Sequence, residues 1–115
     1  MTVSFVLDGQ EFTALNGGPE FKFTEAISML ISCADQAEVD HYWDNLSAGG
    51  QEIECGWLKD RYGLAWQVVP EPMMQILGSD DPARVQRAMQ AMFTMKKLDL
   101  AALQAAADGG GDAAA

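Results

Sequence analysis

Residues 52–70 read EIECGWLKDRYGLAWQVVP. The segments 52–59 (EIECGWLK) and 64–69 (LAWQVV) are strand-like, and Asp60-Arg61-Tyr62-Gly63 between them supplies turn residues, which predicts a hairpin. Pro70 and Pro72 close the sheet region, because proline has no N–H to give to a ladder. Immediately upstream, Val39, Tyr42, Trp43 and Leu46 recur at helical spacing. Asp35 is placed to cap that helix, Glu38 to reach back, and Gly49-Gly50 to end it. Before the helix, AISMLISC (26–33) is apolar on both faces, which predicts a strand in the middle of a sheet.

Further out, TVSFVL (2–7) and QEFTAL (10–15) flank Asp8-Gly9, a pair suited to a two-residue hairpin turn with positive φ. Asn16-Gly17-Gly18-Pro19 breaks that ladder, and a loop carrying Phe21 and Phe23 follows. Toward the C-terminus, Asp81 and Pro82 open a helix with an apolar stripe of Val85, Met89, Met92 and Phe93. Asp99 caps a short final helix through Leu103. The order is three strands, a helix, two strands and two helices. This is an α+β chain with a mostly antiparallel sheet and helices on one side. Residues 1–106 are expected to form one domain and 107–115 a flexible tail.

The 115 residues (12.4 kDa) suffice for a single domain, and 49% hydrophobic content suffices for a core. Seventeen acidic against seven basic residues give a net charge of -10. That field repels phosphate backbones and anionic headgroups, which argues against nucleic-acid and membrane-surface partners. The apolar runs are far too short to span a bilayer, and MTVSFVLDGQEF lacks the basic start of a secretory signal. Cys33 and Cys55 show no zinc spacing and fit a reducing compartment, so a cytoplasmic location is expected.

Candidate chemistry is sparse. His41, the single histidine, lies off the apolar stripe of its helix and reads as a solvated side chain. No glycine-rich phosphate loop is present, and the repeated βαβ units and glycine-rich first turn of a methyl-donor nucleotide site are missing. Glu52 and Glu54 share a strand face and read as an outer surface. Cys55 beside Glu54 is disfavoured as a thiolate and reads as structural. Trp57 and Trp66 face one another in the expected hairpin; they either pack the core or line a hollow for a small apolar molecule. The methionines 89, 92 and 95 read as core, with partner docking as the alternative.

ALNGGPEFKFTEAIS (14–28) and CGWLKDRYGLAWQVVP (55–70) resemble the PhnB-like branch of the glyoxalase, or vicinal oxygen chelate, superfamily, also called the demethylubiquinone methyltransferase-type domain. DQAEVDHYWDNLSAGG (35–50) and MQAMFTMKKLDLAALQAA (89–106) fit it as well. The resemblance implies two βαβββ modules paired around a cleft. Residues 1–15 resemble only the closing hairpin of a first module and 27–69 a second, so the chain is expected to lack most of the first and to associate as a homodimer.

Metal-dependent relatives use His and Glu ligands; the matching positions here are near Ile27 and at Gln67. No metal and no cofactor are therefore expected. The implied function is small-molecule binding in an aromatic cleft lined by Asn16, Phe21, Phe23, Cys55, Trp57, Trp66 and Gln67. The alternative is a metal-dependent enzyme of glyoxalase, dioxygenase or resistance type, with Glu25, His41, Glu52 and Glu54 as candidate ligands.

Overall fold

The structure, a computed structural model, describes residues 1–109. Asp8 and Gly9 both take positive φ (51° and 77°), turning strand β1 (Thr2–Leu7) into its antiparallel partner β2 (Gln10–Leu15). Phe5 and Phe12 stack across this pair with centroids 5.7 Å apart. The hairpin is a separate two-stranded sheet with no substantial packing on the other elements. It stands out from the body as an arm.

The body is built on four strands: β3 (Ser28–Cys33), β4 (Gln51–Glu52), β5 (Trp57–Lys59) and β6 (Ala65–Pro70), in the order β3-β6-β5-β4. β3 runs parallel to β6 and the other pairs are antiparallel. Helix α1 (Gln36–Ser47) makes the crossover between β3 and the later strands. The Asp35 carboxylate accepts from the Glu38 N–H at 2.9 Å, and Glu38 accepts in return from the Ala34 N–H. That exchange satisfies donors that a helix start leaves bare. Val39 and Trp43 of α1 pack with Cys33, Leu58 and Val68 as the main core.

Three further helices complete the chain: α2 (Glu71–Leu77), α3 (Pro82–Met92) and α4 (Leu100–Ala107). Asp81 and Asp99 cap α3 and α4 through their carboxylates. A second core joins Val69, Met73, Leu98 and Leu103. The turn at Cys55-Gly56 ties this region to the sheet, with both N–H groups donating to the carbonyls of Met95 and Lys96. Gln36 adds a second tie, donating to the Leu98 carbonyl and accepting from the Leu100 N–H.

The α+β class holds, with several corrections in detail. β3 is an edge strand rather than a central one, because apolar composition reports buried faces and not hydrogen-bonded edges. Segment 52–59 is two short strands separated by a turn in which Cys55 (φ 60°) and Gly56 (φ 84°) are both left-handed. Helix α2 begins at once after Pro70, since Pro72 sits in the first turn, where no intrahelical N–H is required. In α3 the buried residue is Ala88, while Met89 and Phe93 stay exposed. The helices are not all on one side: α1 covers the Val68 face of β6, and Val69, pointing the other way, meets Met73 and Leu98. The last helix runs past Leu103 to a buried Ala107; the remaining expected tail, 110–115, lies outside the described residues.

Candidate functional site

Strand register sorts the expected site residues onto different faces. Trp57 lies opposite Gln67, and Leu58 opposite Trp66. Successive side chains on a strand point to opposite sides. Trp57 and Trp66 therefore do not face one another. Trp66 joins Leu58 on the α1 face and donates its indole N–H to Asp60 at 2.9 Å. Asp60 also accepts from the Tyr62 and Leu64 N–H groups and so organises the β5–β6 turn.

The opposite, open face carries an in-register row across three strands: Leu30 on β3, Gln67 on β6, Trp57 on β5. The neighbouring row is Ser28, Ala65, Lys59. The Gln67 side-chain amide donates to Ser28 Oγ at 2.8 Å. Lys59 pairs with Glu25, which draws the end of the 16–27 loop across this row, and Ala65 is fully buried. Leu30 is an apolar side chain left 55% exposed. Gln67 thus sits between an aliphatic and an aromatic group. Its carbonyl oxygen and second amide hydrogen, together with the Ser28 hydroxyl hydrogen, point to a site that can both accept and donate.

The other expected residues lie apart. Phe21 and Phe23 are exposed in the 16–27 loop, as is Asn16. Cys55 is part-buried in the turn held by Met95, and its thiol is pushed up by burial and by Glu54. Sequence reasoning missed Ser28, Leu30 and Lys59; they share the Gln67 face only through the β3–β6 and β5–β6 registers.

A hollow of about 740 Å³ lies between the arm and the body. Leu7 and Phe12 face it from the arm, and Met29, Ile31, Tyr42 and Trp66 from the body. Trp66 alone of the expected site residues lines it.

The metal-ligand positions implied by the resemblance do not fit an ion. Ile27 has no donor atom, and Gln67 offers a neutral amide already bonded to Ser28. Glu25 is paired with Lys59, Glu52 accepts from the Trp43 indole at 2.6 Å, and His41 lies exposed near Asn45. Among the described residues, no three His, Cys, Asp or Glu side chains gather in a metal-holding group. Nor is any helix of the described residues long and apolar enough to cross a membrane.

The family model for 3-demethylubiquinone-9 3-methyltransferase matches residues 1–69, more than half of the chain. The chain belongs to this family. It is also similar to a solved structure described as a 3-demethylubiquinone-9 3-methyltransferase, PhnB protein, from Bacillus cereus, with a TM-score of 0.57 and 29% identity. That likeness covers 61% of this chain and 64% of the other, so this PhnB-like domain spans under two thirds of that protein's length. No curated protein matches the chain. The family match takes in the arm, α1 and the sheet to Val69, and α2 to α4 lie beyond it.

Proposed function

We propose that this PhnB-like domain is a small-molecule binding module that works without a metal. The ligand lies against the open sheet face, on the row Leu30, Gln67, Trp57. The supporting observation is that row itself: a polar amide, oriented by Ser28, set between two apolar side chains. A flat ligand carrying a hydroxyl or carbonyl group matches it. The ligand hydroxyl donates to the Gln67 carbonyl oxygen, and a ligand carbonyl accepts from Gln67 or from the Ser28 hydroxyl. Trp57 and Leu30 supply apolar contact; Asn16, Phe21 and Phe23, exposed in the loop between β2 and β3, lie apart from this row. Trp66 and Cys55 serve the fold. No bond-breaking step is assigned to these groups.

Two free thiols suit a reducing, cytoplasmic setting, and the charge of -10 works against nucleic-acid and membrane-surface partners. For the metal-dependent alternative, the candidate ligands Glu25 and Glu52 are already engaged by Lys59 and Trp43.

The test is a tryptophan-fluorescence titration with small aromatic compounds bearing hydroxyl or amide groups, catechol and benzamide among them, before and after treatment with a chelator. Binding should survive the chelator, change the emission of Trp57, and weaken several-fold to about tenfold in Gln67→Leu, the effect of one lost hydrogen bond. Silence across the panel from a folded protein, or binding abolished by the chelator, would rule the reading out.

A further inference from the structure

Lys59 is the single basic residue in the six strands. The other basic side chains are placed elsewhere. Arg84 and Lys97 pair with Asp108 and Asp40, and Arg87 holds the carbonyls of Ala106 and Ala107. Lys22, Arg61 and Lys96 lie outside the strands and helices. The trough of about 740 Å³ between arm and body is lined by Asp8 and Glu38 and by no basic side chain. The positive charge built into the open sheet face is therefore Lys59.

Its position follows from the sheet. Leu58 turns into the α1 core, so Trp57 and Lys59, on either side of it, share the open face. Ser28 on β3, Ala65 on β6 and Lys59 on β5 stand in register, and Gln51 on β4 continues the row. Gln67 is the diagonal neighbour of Lys59 across the β5–β6 ladder. Such neighbours are about 7–8 Å apart, a gap that a long side chain covers. A ligand group resting beside Gln67 and Ser28 is thus within reach of the Lys59 ammonium.

The present partner of Lys59 shows what that group is. Glu25 stands three residues before Ser28, on the β3 side, whereas Lys59 is on β5, so their ion pair crosses β6 at the fully buried Ala65. The pair itself is open to solvent, with 31% and 52% of the two side chains exposed. Exposed pairs of this kind contribute little and are readily exchanged. A ligand carboxylate can replace the Glu25 carboxylate like for like. It also gains the Ser28 hydroxyl or the Gln67 amide for its second oxygen, and Trp57 for the ring it is attached to.

We propose that the open face selects an aromatic carboxylate, with Lys59 reading its charge and Glu25 as the side chain it displaces. The assignment rests on the open face being the ligand site, and it narrows the occupant from flat polar compounds to acids. The net charge of -10 does not oppose it. Beyond about 8 Å that field is screened at physiological salt, whereas a charge-assisted hydrogen bond acts at contact.

Benzoate and benzamide have nearly the same shape and differ in charge, so tryptophan-fluorescence titrations of the full chain with both read the assignment. The wild type should bind benzoate about tenfold more tightly than benzamide. Lys59→Met should erase that preference and leave benzamide affinity within about twofold, a split that a merely structural lysine would not produce. Glu25→Gln frees Lys59 and should tighten benzoate several-fold without moving benzamide. Glu20→Gln, the same charge change in the same loop, should move neither. Should Lys59→Met fail to fold, the two glutamate variants decide. Benzamide binding with no preference for benzoate, a preference that survives Lys59→Met, or a Glu25→Gln effect matched by Glu20→Gln would each overturn this assignment and leave the open-face site standing. Silence toward both compounds from the folded wild type would overturn the site and the assignment together.

Discussion

Gly56→Ala tests how the C-terminal helices are joined to the sheet. Gly56 has φ +84°, a conformation that costs an L-residue about 1–2 kcal/mol. An added Cβ would lie 2.8 Å from Leu98 Cδ1, 3.0 Å from its Cγ and 3.1 Å from the Val68 carbonyl oxygen. Overpacking of that kind costs about 1–3 kcal/mol. The backbone has little room to move away: Gly56 donates to Lys96 O at 2.7 Å and accepts from Val68 N at 2.8 Å. The expected loss is therefore about 3 kcal/mol.

Leu98→Ala, at a fully buried position against Val69, Met73 and Leu103, should cost about 3 kcal/mol by leaving a cavity. In the double variant the new methyl enters the space Leu98 vacates, while the conformational cost remains. The pair should fall short of additivity by about 1–2 kcal/mol. Urea unfolding followed by tryptophan emission reads all four proteins. Additive losses, or an alanine tolerated at position 56, would refute the reasoning.

Two further predictions concern single side chains. Glu52→Ala strips the carboxylate from the buried Trp43 indole and should cost about 1 kcal/mol, whereas Glu54→Ala, with no such partner, should change stability by less than about 0.5 kcal/mol; equal effects in denaturant would contradict this. The Cys33 thiol is pushed from 9.0 up to about 11, first by burial and then by Glu38 and Asp35. The folded state thus keeps a proton that the unfolded chain gives up. The contribution is complete below about pH 9 and is lost as pH rises toward 11, roughly 3 kcal/mol at most. Cys33→Ala should flatten that alkaline decline, and at pH near 8 a thiol reagent should modify part-buried Cys55 before Cys33. An unchanged decline, or equal modification rates, would count against it.

Much of the fold was legible because local chemistry and tertiary role coincide. Asp8-Gly9, the Asp35 cap, the Val39–Trp43 stripe and Asp81-Pro82 each carry their instruction within a few residues, and each forms as expected. What escaped depends on partners distant in sequence. The edge position of β3 follows from its parallel pairing with β6 across α1, which composition does not encode. The opposed directions of Trp57 and Trp66 follow from a register set by the β5–β6 turn, and an offset of one residue moves a side chain to the other face. Helix α2 was hidden by Pro72, a helix breaker everywhere except in the first turn. Of the candidate site, Gln67 and Trp57 were named from the sequence, but the face they share follows from the β5–β6 register, and Ser28 and Leu30 become neighbours only through the parallel ladder.

The most direct test of the central claim is an NMR titration of the assigned chain with catechol or benzamide. Shift changes centred on Ser28, Leu30, Trp57 and Gln67 are the predicted result. Changes centred on Tyr42 and Trp66 in the trough, with Gln67 unmoved, would contradict the account.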